Sequence, residues 1–272
     1  LTLLISKRKS LNFLFSAFIG RTLSLNDLGL VTLINTLWYV AGIFIGGVSS
    51  TINHRTAYLS AREGAQASVH FWKVTARLAF TVAVFASIGW LIGIPFLSNF
   101  FHIEDRIVLL LFTPALMFGV WVAANRGFLQ GNLMFQSTAV VYIAEALSKL
   151  IIALVLVRMG LSAWVFIAIP GAVLVAGGVA AILSRHIAAG IPKFISREQQ
   201  YEFPKFFYAA SIMSSISSAI FLSLDIILAK HYLPPVMAGE YALLALVGKM
   251  IYFFGSLPAV FMITFVSRAQ GL

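Results

Sequence analysis

The stretch FQSTAVVYIAEALSKLIIALVLV, Phe135–Val157, decides the fold. Its 23 residues carry only two charges, and after a short turn LSAWVFIAIPGAVLVAGGVAAIL, Leu161–Leu183, adds 23 more with none. About 20 consecutive apolar residues cross the hydrocarbon core of a bilayer as a helix. The rest of the chain agrees with these two blocks. Of 272 residues, 60% are hydrophobic and 10% charged, and 24 are Phe. A soluble domain carries about 25% charged residues, so a water-exposed globule of this composition would be coated in apolar patches. A soluble enzyme is excluded, and so is a β-barrel, whose strands alternate in segments of about 10. The fold class expected is an all-α polytopic membrane protein.

Working outward, apolar blocks bounded by charges and turn residues number eight: approximately Leu11–Leu25, Leu28–Ser49, Val74–Leu97, Ile107–Ala124, Phe135–Val157, Leu161–Leu183, Phe206–Ala229 and Tyr241–Ile263. In the first, only Leu11–Gly20 is uninterrupted. It spans only by running past Arg21, whose side chain would snorkel to the interface. It has the basic start of a signal peptide without a small-residue cleavage site. Position 1 is Leu rather than Met, which suggests a piece of a longer chain. With no Cys there is no disulfide framework and no thiolate chemistry.

The net charge of +10 invites a nucleic-acid reading, so its placement matters. Thirteen cations fall on one side: Lys7, Arg8, Lys9, Arg55, Arg62, Lys73, Arg77, Arg126, Arg185, Lys193, Arg197, Lys205 and Arg268. Four (Arg21, Arg106, Arg158, Lys230) fall on the other, and Lys149 and Lys249 lie inside apolar blocks. This bias puts the N-terminus and the 54–73 and 184–205 loops in the cytoplasm. The basic face then meets anionic membrane lipids, and no nucleic acid is expected as a partner. Two acids, Glu145 and Asp225, offset the two in-span lysines, so the membrane array is neutral.

The longest hydrophilic connection, Ser184–Pro204, separates six segments from two. It divides the chain into a six-helix N-terminal lobe, residues 1–190, and the start of a C-terminal lobe, residues 191–272. Each side offers a similar passage: IGRTLSLNDLGLVTL (Ile19–Leu33) and LAKHYLPPVMAGEYALL (Leu228–Leu244) both run cation, polar turn, Gly. Six segments separate them, so both point the same way through the membrane, as in a parallel repeat.

Three passages, FLFSAFIGRTLSLNDLGLVTLINTL, RGFLQGNLMFQSTAVVYIAEALSKLIIALVLV and SLDIILAKHYLPPVMAGEYALLALVGKMIYF, together resemble the polysaccharide transporter (O-antigen flippase) family. That family belongs to the multidrug/oligosaccharidyl-lipid/polysaccharide exporter superfamily. The resemblance implies a two-lobed, MATE-like flippase fold of six plus six or six plus eight helices around a central cavity, with about eight transmembrane helices present here. It implies movement of an undecaprenyl-pyrophosphate-linked oligosaccharide from the cytoplasmic to the outer leaflet of the bacterial inner membrane by alternating access. Glycan-assembly proteins would be further partners. The chain departs from the family in having two helices of the second lobe, and in Thr264, where many relatives have Pro.

Ionisable groups inside spans are costly and are therefore candidates for function. Glu145 and Lys149 stand four apart, in the order that pairs on one helix face. They form either a self-neutralising pair or a cavity face on which Lys149 meets pyrophosphate. Asp225 and Lys249 have no partner on their own helices, so an inter-helix pair is the plain expectation; phosphate binding by Lys249, or a coupling proton on Asp225 or Glu145, is the functional one. Arg21, Arg55 and Arg126 sit at span ends where snorkelling is ordinary; by resemblance to flippases they are secondary pyrophosphate ligands. Pro114, Pro170 and Pro258 would kink spans. Gly42-xxx-Gly46 and Gly89-xxx-Gly93 would permit close helix approach. Trp90, Trp164, Tyr142, Tyr232 and Tyr241 fit interfacial belts. His54, His70, His102, His186 and His231 are scattered, and no catalytic motif or cofactor signature is present. Two alternatives remain: a cation-coupled multidrug exporter of the same superfamily, and an integral-membrane glycan polymerase or ligase, which would need a large outward catalytic loop.

Overall fold

The computed structural model describes residues 2–103, 105–191, 204–255 and 259–271. Side chains are described from residue 10 onward within these, except 218–219, 221–222, 235, 246–247, 249–255, 259–261, 263–264 and 271. Every element is helical, with no strand among the described residues: α1 (Thr2–Thr22), α2 (Leu25–Arg62), α3 (Ala65–Phe100), α4 (Ile107–Leu110), α5 (Thr113–Gly131), α6 (Phe135–Arg158), a 3-10 segment (Ser162–Ile167), α7 (Ala168–Ala189), α8 (Lys205–Tyr232), α9 (Pro235–Gly255) and α10 (Ala259–Gly271). Five stretches are long and apolar enough to cross a membrane: Leu25–Arg62, Ala65–Phe100, Ile107–Gly131, Phe135–Arg158 and Ser162–Ala189. The chain is an all-α, multi-pass membrane protein by length and composition.

The surface carries the mark of a lipid solvent. On α6, Val140, Leu147, Ile151 and Val155 are all exposed at helical spacing. On α3, Val74, Leu78, Val82, Phe85, Ile92 and Phe96 form the same kind of stripe. Faces of this extent and apolarity suit contact with acyl chains rather than water.

Helix α2 is the hub, packed on α5, α8, α10, α3 and α9, while α1 packs on α6, and α6 on α7. Because lipid is as apolar as Leu, helices in a membrane associate through close van der Waals contact rather than hydrophobic burial, which favours small residues at the seam. Here the small residues are Ala115, Gly119, Ala123, Gly127 and Gly131, one per turn of α5. A methyl group on Gly119 would lie 2.6 Å from the Trp38 ring, and one on Gly127 2.5 Å from the Ser49 carbonyl oxygen. The two Gly-xxx-Gly pairs expected to serve this purpose do not. Gly42, Gly89 and Gly93 have nothing within 4 Å of an added methyl, and Gly46 has only an ordinary contact with Ser215.

The 54–73 region, expected as a cytoplasmic loop, is instead helix on both sides of a two-residue turn. Helix α2 continues to Arg62 and α3 begins at Ala65; Gly64, at φ 92°, makes the reversal. Polar residues lower hydropathy without ending a helix, and only the positive φ does so. At 38 and 36 residues, α2 and α3 are about 57 and 54 Å long, beyond the 40–45 Å of a whole bilayer. The projecting hairpin is seated on the end of α5: Trp72 stacks on Phe128 at 4.5 Å, Ser68 Oγ donates to Asn132 Oδ1 at 3.1 Å, and Asn53 Nδ2 donates to Gln130 Oε1 at 3.4 Å.

The prolines expected to kink spans mark helix starts. Pro114 sits in the first turn of α5 and Pro170 in the first turn of α7, where a missing N–H costs no hydrogen bond. Pro95 is the proline inside a helix, near the end of α3. Pro258 lies outside the described residues.

The two cation-turn-Gly passages meet. A methyl on Gly239 would be 2.5 Å from the Leu25 carbonyl oxygen, and one on Gly20 3.2 Å from Leu243. The α1–α2 and α8–α9 turns therefore share one end of the molecule. At that end His231 Nδ1–H donates to the Phe100 carbonyl at 3.0 Å and stacks on the Phe100 ring at 4.2 Å. At the other end His54 stacks on Phe207 at 4.1 Å and hydrogen-bonds Ser267 at 2.7 Å. Of the expected lobe boundary, residues 192–203 lie outside the described part. On its far side α8 packs directly on α2, with Gly47 against Tyr208 and Ile212.

Helix α2 opens on a cap: Ser24 Oγ accepts from the Asp27 N–H at 3.2 Å and donates to the Asp27 carboxylate at 2.8 Å. Ser24→Ala should lower stability by about 1 kcal/mol, measurable as a lower thermal midpoint in detergent.

Candidate charged site between α1, α5 and α6

Helix α6 has two opposed faces. Thr138, Tyr142, Glu145 and Lys149 follow one another at four, three and four residues and so share a face, at about 100° per residue. The apolar stripe of Val140, Leu147, Ile151 and Val155 lies on the other side. With that stripe in lipid, the polar face must turn inward.

Glu145, expected to neutralise Lys149, meets a different helix. Its Oε2 lies 3.4 Å from Nη1 of Arg126 on α5, with the two side chains 20% and 13% exposed. The Arg126 guanidinium also sits 4.8 Å from the centre of the Tyr142 ring, and its Nε is buried without a hydrogen bond. Lys149 reaches α1: its ammonium donates to Asn12 Oδ1 at 2.8 Å and lies 4.7 Å from the centre of the Phe15 ring. Three helices thus converge on a row of cation, acid and cation, with aromatic faces beneath both cations. The three side chains, each partly buried, sum to a net charge of +1. Arg126, expected at a span end, is only 13% exposed because α5 runs on to Gly131 along the hairpin instead of stopping at Ala124.

The other expected residues lie apart. Arg55 is half-buried on α2, with its guanidinium 5.3 Å from the Tyr58 ring centre and its Nε without a hydrogen bond. It falls between Asn53 and Thr56, against which Gly131 packs, and so borders the α2–α5 seam. Arg21 is exposed in the last turn of α1, about 14 Å along that helix from Asn12. There it complements the negative helix end. Asp225 is half-buried, with Oδ1 free of hydrogen bonds, and faces the Tyr241 hydroxyl across the α8–α9 contact. The expected Asp225–Lys249 pair involves a side chain outside the described set.

Sequence reasoning missed Tyr142 and Asn12 as participants and misjudged the surroundings of Lys230. Tyr142 was legible from its spacing to Glu145 but reads as an interfacial aromatic. Asn12 carries no signal before α1 and α6 are known to touch. Lys230, expected in an outward loop, is 7% exposed in the last turn of α8. Among the described residues no three His, Asp or Glu side chains gather as a metal site would require.

Comparison with protein families, curated proteins and solved structures finds no match to this chain.

Proposed function

We propose that the protein is a flippase of the bacterial inner membrane, with eight spans and a cytoplasmic N-terminus, which carries an undecaprenyl-pyrophosphate-linked oligosaccharide to the outer leaflet by alternating access. One observation supports this reading most: a partly buried charge row of net +1, Arg126–Glu145–Lys149, where α1, α5 and α6 converge. A charge held at this cost inside a membrane array is a default functional site. Its chemistry suits a phosphate ester. Arg126 presents a fork of donors, one of them (Nε) unused, and Lys149 a compact point charge. In this scheme the incoming pyrophosphate competes with Glu145 for Arg126 and with Asn12 for Lys149, so binding exchanges internal contacts for substrate contacts. Anionic lipids on the basic inner surface and glycan-assembly proteins complete the proposed partners.

The test is export of the lipid-linked glycan in cells that depend on this protein. A charge-assisted hydrogen bond contributes about 1.5–3 kcal/mol, so Lys149→Ala should lower flux about tenfold to a hundredfold. Unchanged export at normal protein level would sink the reading. One observation favours the cation-coupled exporter: the unbonded Oδ1 of Asp225. That alternative predicts that Asp225→Asn, rather than Lys149→Ala, abolishes transport.

A further inference from the structure

The outer face of α3 measures the membrane and marks one end of it. Between Leu78 and Phe96 every exposed large side chain on this face is apolar: Leu78, Val82, Phe85, Ile88, Leu91, Ile92 and Phe96. The run is bounded by exposed Arg77 and exposed Asn99, 22 residues or about 33 Å apart along the axis, against about 30 Å of hydrocarbon. Beyond Arg77 the same face continues toward the hairpin turn as Lys73, His70 and Gln66, all exposed. Steps of four, three and four residues keep these side chains on one line, which continues along the edge of the lipid-facing stripe at Ile88 and Leu91.

This line cannot turn away. The opposite face of α3 is fixed by Phe71 and Trp72, 2% and 5% exposed, by the Trp72–Phe128 stack and by the Ser68–Asn132 hydrogen bond. Lys73 lies about 6 Å beyond Arg77, within the depth of the headgroup layer. Helix α3 contains no Asp or Glu, so neither cation is neutralised along it.

We infer that Arg77 and Lys73, with His70 beside them, form a docking surface for the headgroups of anionic phospholipids, phosphatidylglycerol being the simplest, while the acyl chains lie along the Leu78–Phe96 stripe. The inference rests on the membrane reading of the chain and is independent of what the protein transports. Ordinary positive-inside bias requires cations somewhere at this depth. Here two stand on one line at the edge of the apolar face, within reach of the phosphate of a lipid that lies along it.

Each cation near an anionic surface contributes about a fivefold enrichment, so the pair should favour phosphatidylglycerol over phosphatidylcholine by about 25-fold. The experiment is native mass spectrometry of the whole chain released from mixed phosphatidylglycerol–phosphatidylcholine nanodiscs, counting retained lipids of each kind. The wild type should keep phosphatidylglycerol preferentially. Lys73→Gln/Arg77→Gln should lose about 25-fold of that preference at an unchanged thermal midpoint, and Arg158→Gln, at the far end of α6, should behave as wild type. Excess inorganic phosphate should not displace the lipid. Equal retention of both lipids by the wild type, an undiminished preference in the double variant, or displacement by inorganic phosphate would each overturn the inference. Since the readout is lipid retention, its failure leaves the flippase reading intact, and loss of export in another variant leaves this surface intact.

Discussion

An alanine at Gly131 is expected to destabilise the protein by about 3 kcal/mol or more, at the upper end of overpacking costs. The added methyl would run into the Thr56 hydroxyl, and would also lie 2.8 Å from the Asn53 carbonyl oxygen and 2.9 Å from Thr56 Cβ. A flexible side chain could swing aside, but the carbonyl belongs to a buried turn of α2, the helix on which most of the structure rests. In lipid no hydrophobic gain offsets a widened seam, so the lost packing is felt in full. Gly127→Ala should act the same way through the Ser49 carbonyl. Gly42→Ala and Gly93→Ala, whose new methyls meet nothing, should leave stability unchanged or slightly raised. Thermal melts in detergent, followed by tryptophan fluorescence, separate the two groups. Equal midpoints for Gly131→Ala and Gly42→Ala would refute the small-residue seam. Thr56→Ala on the Gly131→Ala background should recover part of the loss and no more, because the Asn53 carbonyl remains.

The second large effect is at Arg126 and Glu145. Removing one member of a buried pair leaves an uncompensated charge, at a cost of about 3–5 kcal/mol when burial is complete. With side chains 13% and 20% exposed, about 2–4 kcal/mol is expected for Arg126→Gln or Glu145→Gln alone. The double variant should regain most of that stability, since two neutral amides can hydrogen-bond each other. Export then separates structure from function. If the pair serves only packing, the double variant transports as well as it folds. If Arg126 receives pyrophosphate, the double variant is stable and inactive. Stability is read by melts, and export by surface glycan at matched protein level.

Much of this was legible before any coordinate. Blocks of apolar residues about 20 long force helices, because a backbone in hydrocarbon must satisfy its own hydrogen bonds. Glu145 and Lys149 declared themselves by being charged where charge is costly. The hairpin was not legible: residues 54–73 read as a loop because hydropathy reports solvent and not backbone conformation. Nor was the seam. Gly42, Gly46, Gly89 and Gly93 carry the same spacing as Gly127 and Gly131, and nothing local says which pair faces a helix and which faces lipid. Glu145 shows the same limit, with one candidate partner four residues away and another on a helix that sequence cannot place.

The sequence by itself determined the solvent of this protein, its all-helical class and which few ionisable groups had to be accounted for. Each follows from a transfer cost that residues carry wherever they stand. The tertiary structure alone decided who meets whom: Glu145 with Arg126, Lys149 with Asn12, Gly131 with Thr56. Those contacts depend on the rotation and depth of whole helices. In a membrane these are set by close packing across seams, a property that no single helix possesses.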